Sequence, residues 1–213
     1  MTEDLSLTAE ETLAAEKIFG DRLDLAKRYV EHLATSGIER GLLGPREVPR
    51  LWSRHVLNCA VIEEVMEKDA EVADVGSGAG LPGLCLAIAR ADLKLTLIEP
   101  LERRCIWLSE VIDDLGLDNV TVMRGRAEQM VDVVNARYVT ARAVSALTNL
   151  AGLTIPLLHG QGELIAIKGR SAVEEIAKAT KAIRKLGGRE TEVLTVGETI
   201  LAEPTTVVRI KVG

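Results

Sequence analysis

The chain has 213 residues, of which 47% are hydrophobic and 27% charged, and its formal net charge is -6. These values are typical of one folded domain whose core needs no disulfide or metal, and they exclude a disordered or fibrous chain. No apolar run reaches the roughly 18 residues of a membrane span. The three cysteines, Cys59, Cys85 and Cys105, show no paired spacing, so we expect neither a disulfide framework nor a metal site.

Acidic and basic residues are segregated along the chain. The N-terminus begins with acidic residues such as Glu3 and Asp4 and has no apolar segment of the signal-peptide kind, which predicts a cytoplasmic protein. Residues 168–189 are rich in Lys and Arg. That segment permits a basic face for nucleic acid, although charge runs on helices are most often plain solvated surface.

The first 68 residues have a helical pattern without a strand. Apolar positions spaced by three and four residues predict a helix over 8–35, and a second helix is predicted over 55–67. Glycines and prolines between 37 and 49 predict a loop between them. We therefore interpret residues 1–68 as an N-terminal helical extension.

Residues 69–213 alternate short apolar runs with helical segments such as 102–115. Five runs predict parallel strands, at 72–75, 95–98, 120–123, 138–141 and 164–167. Two further strands, at 192–196 and 205–211, have no helix between them and predict a terminal antiparallel pair. The predicted fold is α/β and Rossmann-like, with a mostly parallel seven-stranded sheet. The antiparallel end is typical of methyltransferases that use S-adenosylmethionine (SAM), so residues 69–213 are predicted to form one compact SAM-binding domain.

Residues 74–83, with the sequence Asp-Val-Gly-Ser-Gly-Ala-Gly-Leu-Pro-Gly, join a predicted strand to a predicted helix. Glycines there allow a sharp turn and let a ligand approach the main chain. The spacing Gly78-x-Gly80-x-x-Gly83 also matches a dinucleotide-binding loop, and any α/β protein can carry such a turn. Asp74 favours SAM, because a carboxylate suits an ammonium group better than a pyrophosphate. The candidate cofactor residues of this loop are Asp74, Gly76, Ser77, Gly78, Gly80 and Leu81.

Two later strand ends complete the predicted cofactor site. Glu99 ends the second strand, where a carboxylate can accept hydrogen bonds from both ribose hydroxyls of a nucleoside. After the third strand, the turn Arg126-Ala127-Glu128 lies where backbone groups can contact an adenine. The alternative for Glu99 is an exposed acid at a strand end, and the turn can equally be an ordinary strand-to-helix turn.

The end of the fourth strand bears on the acceptor of a methyl group. Exocyclic amino groups are often methylated beside an (Asn/Asp)-Pro-Pro-(Tyr/Phe) turn, whereas residues 141–144 here are Ala-Arg-Ala-Val. Carbon-5 of a pyrimidine needs a cysteine nucleophile, and no cysteine lies on that strand. Guanine N7 has a free lone pair and needs neither a nucleophile nor a base. The pattern is compatible with this acceptor, by elimination.

Basic residues at strand ends and in the second helix are candidates for the acceptor. Arg142 and Lys168 end the fourth and fifth strands and can bind phosphate or guanine O6. Arg54 and His55 can meet RNA from the N-terminal helices, although a structural role is as plausible for His55. Trp52 can stack on an extruded base but better fits a core position.

Five stretches resemble the ribosomal RNA small-subunit methyltransferase G family, also called glucose-inhibited division protein B. They are residues 51–55, 74–83, 125–128, 141–143 and 167–169, and the similarity extends over about residues 15–190. The segment Gly-Ser-Gly-Ala-Gly-Leu-Pro-Gly is unusually specific. The resemblance implies transfer of a methyl group from SAM to N7 of a guanine in the decoding region of 16S rRNA, and a link to low-level streptomycin resistance.

The resemblance also assigns roles to single residues. The loop 74–83 would hold methionine and ribose, Glu99 the ribose, and Ala127 and Glu128 the adenine. Arg142 and Lys168 would be the catalytic residues, with Arg142 also near the cofactor. Arg54, His55, Arg126 and Lys168 would contact RNA. Two departures stand out: Cys85 replaces a common Pro, and Asn58-Cys59 replaces Asp-Ser, which leaves the role of that helix open.

Two other functions stay open at this point. An NAD-type oxidoreductase is favoured only by the glycine spacing, and the sequence offers no Tyr-x-x-x-Lys proton donor. A SAM-binding protein without catalysis is also compatible, because N7 methylation requires no diagnostic catalytic residue. Because the net charge is acidic, we expect the protein to act on an assembled or partly deproteinised small ribosomal subunit. We also expect a monomer.

Overall fold

A computed structural model of the chain describes residues 5–213. Glu3 and Asp4, on which the prediction of no signal peptide partly rested, lie outside the described residues. Within residues 5–213, no helix is both long and apolar enough to cross a membrane.

A seven-stranded sheet forms the centre of the molecule, in the order β3-β2-β1-β4-β5-β7-β6. The strands are β1 Glu71–Val75, β2 Lys94–Glu99, β3 Val120–Arg124, β4 Tyr138–Arg142, β5 Gly162–Ile167, β6 Gly188–Val196 and β7 Thr205–Val212. The first five strands pair in parallel, and β7 lies antiparallel between β5 and β6. The predicted strands and the predicted antiparallel end are confirmed.

Helices cover both faces of the sheet. They are α1 Ala9–Phe19, α2 Leu23–His32, α3 Asn58–Ala60, α4 Gly83–Ala89, α5 Glu102–Leu115, α6 Leu147–Thr154 and α7 Ala172–Lys185. Successive side chains of each strand point to opposite faces of the sheet and so belong to two separate cores. Val72 and Leu97 pack against the N-terminal helices, α4 and α5, whereas Ala73 and Ile98 pack against α6 and α7. Leu, Val, Ile and Ala dominate both cores.

The N-terminal segment differs from its prediction. The expected single helix over 8–35 is broken at Gly20, whose φ of 49° ends α1, and a 3-10 turn Gly20–Arg22 leads into α2. A π-helical turn, Leu33–Gly37, extends α2. The predicted loop contains a 3-10 helix, Pro45–Arg50. The second helix starts earlier than predicted, as a π-helical turn Leu51–Leu57 before α3, and ends in a 3-10 turn Val61–Val65.

These helices share one core with the sheet. Tyr29 of α2 and Leu33 of the π-helical turn that follows it belong to the same buried cluster as Leu95 and Leu97 of β2. Trp52 is buried, and its indole N–H donates to the carbonyl of Leu5 over 3.0 Å. The ring is therefore part of the core and is not presented for stacking on a base.

Candidate cofactor and acceptor site

The glycine loop connects β1 to α4 at the carboxyl edge of the sheet. At Gly83, a Cβ would lie 2.3 Å from the Leu97 side chain and 2.7 Å from Asp74 Oδ2, so only glycine lets α4 approach β2 this closely. At Gly78, φ is 56° and a Cβ would have no neighbour nearer than 3.8 Å. The main chain at Gly78 is thus open to a ligand, in the conformation that glycine favours.

Asp74 lies beneath this loop and is fully buried. Its Oδ2 accepts the backbone N–H of Gly83 over 3.1 Å, and its Oδ1 accepts the hydroxyl of Thr140 over 3.3 Å. Burial raises the pKa of this carboxyl from 3.8 to about 6. Its hydrogen bonds act in the opposite direction, and the one with Ser77 lowers the pKa most. The glycine loop covers Asp74, so the ammonium group of SAM, its predicted partner, could not reach the carboxylate directly. The geometry instead favours a role for Asp74 in holding the glycine loop and α4 together.

Glu99 ends β2 and is also buried. Its Oε2 accepts the N–H of Gly78 over 2.9 Å, and its Oε1 accepts the N–H of Leu101 over 3.0 Å. Each carboxylate oxygen can accept a second hydrogen bond. Glu99 therefore fixes Gly78 and keeps acceptor capacity at the loop. Sequence reasoning missed Arg104 of α5, whose Nη1 is 3.6 Å from Glu99 Oε2.

The turn after β3 lies beside the end of β2. The N–H of Gly125 donates to the carbonyl of Glu99 over 3.2 Å, which brings the turn to the same edge as the glycine loop. Ala127 is buried, whereas Arg126 and Glu128 are exposed. The structure thus brings the predicted ribose and adenine residues to the carboxyl ends of three adjacent strands, β1, β2 and β3.

Arg142 ends β4 next to the glycine loop. Thr140 pairs with Asp74 across β4 and β1, so Arg142 lies level with Gly76, two residues further along. Its Nη1 donates to the Cys59 sulfur over 3.1 Å, and its Nη2 donates to His55 Nδ1. The N-terminal segment therefore holds the guanidinium through Cys59 and His55, which precede Arg142 in the sequence by 83 and 87 positions.

Cys59 and Cys85 form a buried pair of thiols beside Arg142. Burial raises the pKa of Cys85. For Cys59 burial acts in the same direction, but the hydrogen bond from Cys85 and the charge of Arg142 outweigh it and lower the pKa. No cysteine lies on β4 itself, as predicted, but α3 brings Cys59 next to Arg142, the last residue of that strand. Since Cys59 has no exposed surface, it cannot attack a pyrimidine, and the argument against that acceptor now rests on burial.

His55 was predicted to contact RNA, but the structure buries it between two side chains. Its Nε2 is 2.7 Å from Glu47 Oε2, and its Nδ1 accepts from Arg142. Burial, then the charge of Arg142, lower the pKa of His55 below its usual value, although Glu47 opposes the shift. His55 is thus a neutral ring that joins Glu47 to Arg142, whereas its neighbour Arg54 is exposed.

Lys168, at the end of β5, is engaged by the protein itself. Its ammonium donates over 2.8 Å both to the Ser145 carbonyl and to Glu175 Oε2, and only 11% of its side chain is exposed. The ion pair with Lys168 is the largest cause that lowers the pKa of Glu175. Lys168 therefore ties the loop after β4 to α7.

A cavity of about 810 Å³ opens beside Arg142, between α1, the π-helical turn Leu51–Leu57, the end of β5 and the start of β7. Its basic lining residues are Arg50, Arg54, Arg142, Lys168 and Arg170, and its acidic ones are Glu10, Glu11 and Glu203. The cavity lies on the β4–β5 side of the sheet, whereas the predicted cofactor residues lie on the β1–β3 side. Arg142 stands at the boundary between the two.

Asn58, the first residue of α3, contacts the chain segment that joins β6 to β7. Its amide donates to the Glu203 carbonyl over 3.0 Å and to the Thr205 hydroxyl over 2.9 Å, and the hydroxyl donates back to the Asn58 carbonyl. These bonds fix the loop between β6 and β7, which forms one wall of the cavity. The role of Asn58 is to position that wall.

Comparison with known proteins identifies the family. Residues 22–203 match the sequence profile described as rRNA small subunit methyltransferase G. The chain belongs to this family. It is 79% identical to ribosomal RNA small subunit methyltransferase G of Pseudarthrobacter chlorophenolicus, over 98% of this chain and 97% of that protein. With the protein of the same name from Paenarthrobacter aurescens, identity is 76% over the same shares of the two chains.

Solved structures agree on the fold. Fibrillarin of Aeropyrum pernix, solved with natively bound S-adenosyl-L-methionine, superposes with a TM-score of 0.54 at 16% identity, and the match covers 74% of each chain. The predicted Rossmann-like methyltransferase fold and the predicted family are confirmed.

Proposed function

We propose that the protein transfers the methyl group of SAM to N7 of a guanine in the decoding region of 16S rRNA. Its family consists of rRNA small subunit methyltransferases, and SAM is its cofactor. The observation that carries the finer proposal is the position of Arg142, at the boundary between the glycine loop and a cavity with a partly basic lining.

The residues at the carboxyl edge of β1, β2 and β3 fit SAM. Gly78 presents open main chain, and Glu99 offers acceptor capacity for ribose hydroxyls. Ala127 and Glu128 follow at the neighbouring strand end, where an adenine would lie. When bound, the cofactor supplies an electrophilic methyl group, and the protein has to align the acceptor with it, since alignment carries much of the rate of such a displacement.

The residues around Arg142 suit an acceptor that has no proton to lose. Cys59 is buried, and both ring nitrogens of His55 are already hydrogen-bonded, so neither group is free to act as a base. Guanine N7 needs no base. A guanidinium can donate to guanine O6, next to N7, and hold the ring in place. Arg54 and Arg170 line the same cavity and are suited to RNA phosphates, and the exposed Arg126 would contact RNA beyond it.

Lys168 has a different role in this proposal from the one first expected. Its partners Ser145 and Glu175 occupy the ammonium, so it acts by holding the loop after β4 at the wall of the cavity. Within the same proposal, the protein works in the cytoplasm as a monomer on an assembled small subunit.

Thermal unfolding separates SAM binding from dinucleotide binding. SAM and S-adenosylhomocysteine should raise the Tm by mass action, and NADH should leave it unchanged. A rise of the Tm with NADH alone would overturn SAM binding and favour the oxidoreductase instead. Binding of SAM without methyl transfer to small subunits would instead favour the non-catalytic alternative.

The state of the substrate needs a separate comparison. Transfer to assembled small subunits is expected to exceed transfer to a free hairpin of the decoding region, because an acidic protein gains little from the phosphates of a short RNA. Equal transfer to both would overturn the expectation of an assembled substrate.

A further inference from the structure

Three side chains from separate parts of the chain form one hydrogen-bonded row that ends at the cavity. Glu47 comes from the 3-10 helix Pro45–Arg50, His55 from the π-helical turn, and Arg142 from the end of β4. Glu47 Oε2 lies 2.7 Å from His55 Nε2, and Arg142 Nη2 lies within hydrogen-bonding distance of His55 Nδ1.

The chemistry of the two outer groups fixes the state of the middle one. A guanidinium only donates, so His55 Nδ1 must carry a lone pair. An ionised carboxylate only accepts, so His55 Nε2 must carry the proton. The ring is therefore neutral and in the Nε2–H form. Burial of His55 and the charge of Arg142 act in the same direction, because both oppose protonation of the ring.

Arg142 depends on this row for its orientation. The guanidinium has a planar fork of N–H donors, and two are used by His55 and Cys59 on the protein side. The fork is fixed at two points, which orients the remaining donors, and Arg142 lines the cavity.

We propose that Glu47 and His55 are positioning residues for the acceptor: Glu47 holds His55 in its neutral Nε2–H form, and His55 holds the guanidinium of Arg142 at the cavity. The inference rests on the proposed function, because it assumes that Arg142 contacts the acceptor base. Neither Glu47 nor His55 touches the acceptor or SAM in this account.

Protonation of His55 would break the row. An imidazolium has two donors and no lone pair, so it cannot accept from Arg142 and would repel it. The charged and titratable groups that face the row are Glu47 and Arg50 from the 3-10 helix, Arg54 beside His55, Arg142 from β4, Tyr29 from α2, Asp74 from β1, and the thiols of Cys59 and Cys85. We therefore expect methyl transfer to fall on the acid side, as the ring of His55 takes up a proton.

The test is a double-mutant cycle. Glu47→Ala should lower kcat/KM for small subunits about tenfold in the wild-type background and less than about twofold in an Arg142→Met background, because coupled residues are not additive. The Kd for SAM should stay the same. Glu47→Gln should keep most of the activity, since its amide oxygen can accept from His55 Nε2–H.

The matched control is Asp114→Ala. Asp114 Oδ2 lies 2.9 Å from His32 Nε2 in an exposed carboxylate–histidine pair away from the cavity, and its loss should leave kcat/KM unchanged. An equal loss from Glu47→Ala in both backgrounds would show that Glu47 acts on folding alone and would overturn the proposal.

An NMR measurement tests the protonation state of His55 in the row and does not require methyl-transfer activity. The chain has three histidines, so the ring nitrogens of His55 can be assigned in 15N NMR spectra by comparison with a His55→Gln variant. We expect the neutral Nε2–H form at pH 7 in the wild-type protein and a mixture of ring forms in Glu47→Ala. A charged ring or the Nδ1–H form at pH 7 would overturn the inference. If the wild-type protein fails to methylate small subunits, the proposed function is wrong, but the NMR spectrum still shows whether Glu47 holds His55 in its neutral Nε2–H form.

Discussion

The hydroxyl of Tyr29 donates a hydrogen bond of 2.6 Å to the carbonyl oxygen of Ala79, and both residues are buried. Tyr29 lies on α2 and Ala79 in the glycine loop, 50 positions later. The loop that is proposed to bind SAM is therefore fixed on its underside by the N-terminal segment. Burial raises the pKa of Tyr29 well above its usual value, so the hydroxyl stays a donor.

Tyr29→Phe should weaken SAM binding. The change leaves the Ala79 carbonyl buried without its partner, at a cost of about 1–3 kcal/mol, part of which appears as greater mobility of the loop. We expect the Kd for SAM, measured by calorimetry, to rise several-fold and the Tm to fall. The control is Tyr138→Phe, because the Tyr138 hydroxyl accepts from the Glu67 N–H, at the other end of the sheet, over 3.3 Å. If both variants bind SAM like the wild type, Tyr29 does not support the loop.

Gly83→Ala should destabilise the protein by about 1–3 kcal/mol, as overpacking of a tight contact does. The new Cβ would lie 2.3 Å from Leu97 and 2.7 Å from Asp74 Oδ2, so α4 must move away from β2. Gly152→Ala is the matched control, because a Cβ on this α6 residue meets nothing within 4 Å. Alanine is the better helix former, so that variant should gain up to about 1 kcal/mol. Urea denaturation measures both, and equal stabilities would contradict the packing argument.

Asp74→Asn should change how stability depends on pH. The folded pKa of about 6 exceeds the usual 3.8, so the native state binds the extra proton between these values. The stability that this proton contributes is present below pH 3.8 and is lost as the pH rises through about 6, a change of about 3 kcal/mol. An asparagine has no such proton, so the free energy of unfolding of Asp74→Asn should lack this fall between pH 4 and 7. Parallel profiles of the two proteins would show that Asp74 is ionised in the folded state throughout this range.

Lys168→Met and Glu175→Leu should reduce methyl transfer by similar factors. The two side chains form one ion pair that is mostly buried, and loss of either partner frees the loop at Ser145. Steady-state kinetics with small subunits measures the effect. A loss confined to Lys168→Met, with Glu175→Leu fully active, would show instead that the ammonium contacts RNA directly.

The sequence predicted the sheet well because its signals are local. Buried parallel strands are continuous apolar runs, such as residues 164–167, and the glycine loop marks the first strand-to-helix connection. The break at Gly20 was missed, because the helical spacing of apolar residues continues from α1 into α2. The short 3-10 turn Gly20–Arg22 between the two helices does not change that spacing visibly.

The residues of the site were predicted less completely, because several meet only after folding. Tyr29 and Glu47 carry no motif, and their contacts with Ala79 and His55 depend on the packing of the N-terminal segment. One signal was available in the sequence: His55 and Cys59 are four residues apart, so they share a helix face. Both contact Arg142, and the exposed Arg54 beside them does not.

The measurement that tests the central claim most directly is transfer of tritiated methyl from SAM to small ribosomal subunits of a strain that lacks the endogenous enzyme, with the modified base then mapped. We expect label at N7 of one guanine in the decoding region, detected by borohydride and aniline cleavage of the 16S rRNA. Transfer should be lost in Gly78→Asp, where the new side chain fills the open space at the loop, and strongly reduced but still measurable in Arg142→Met. Label on another atom or base, or full transfer by the Arg142→Met variant, would contradict the account.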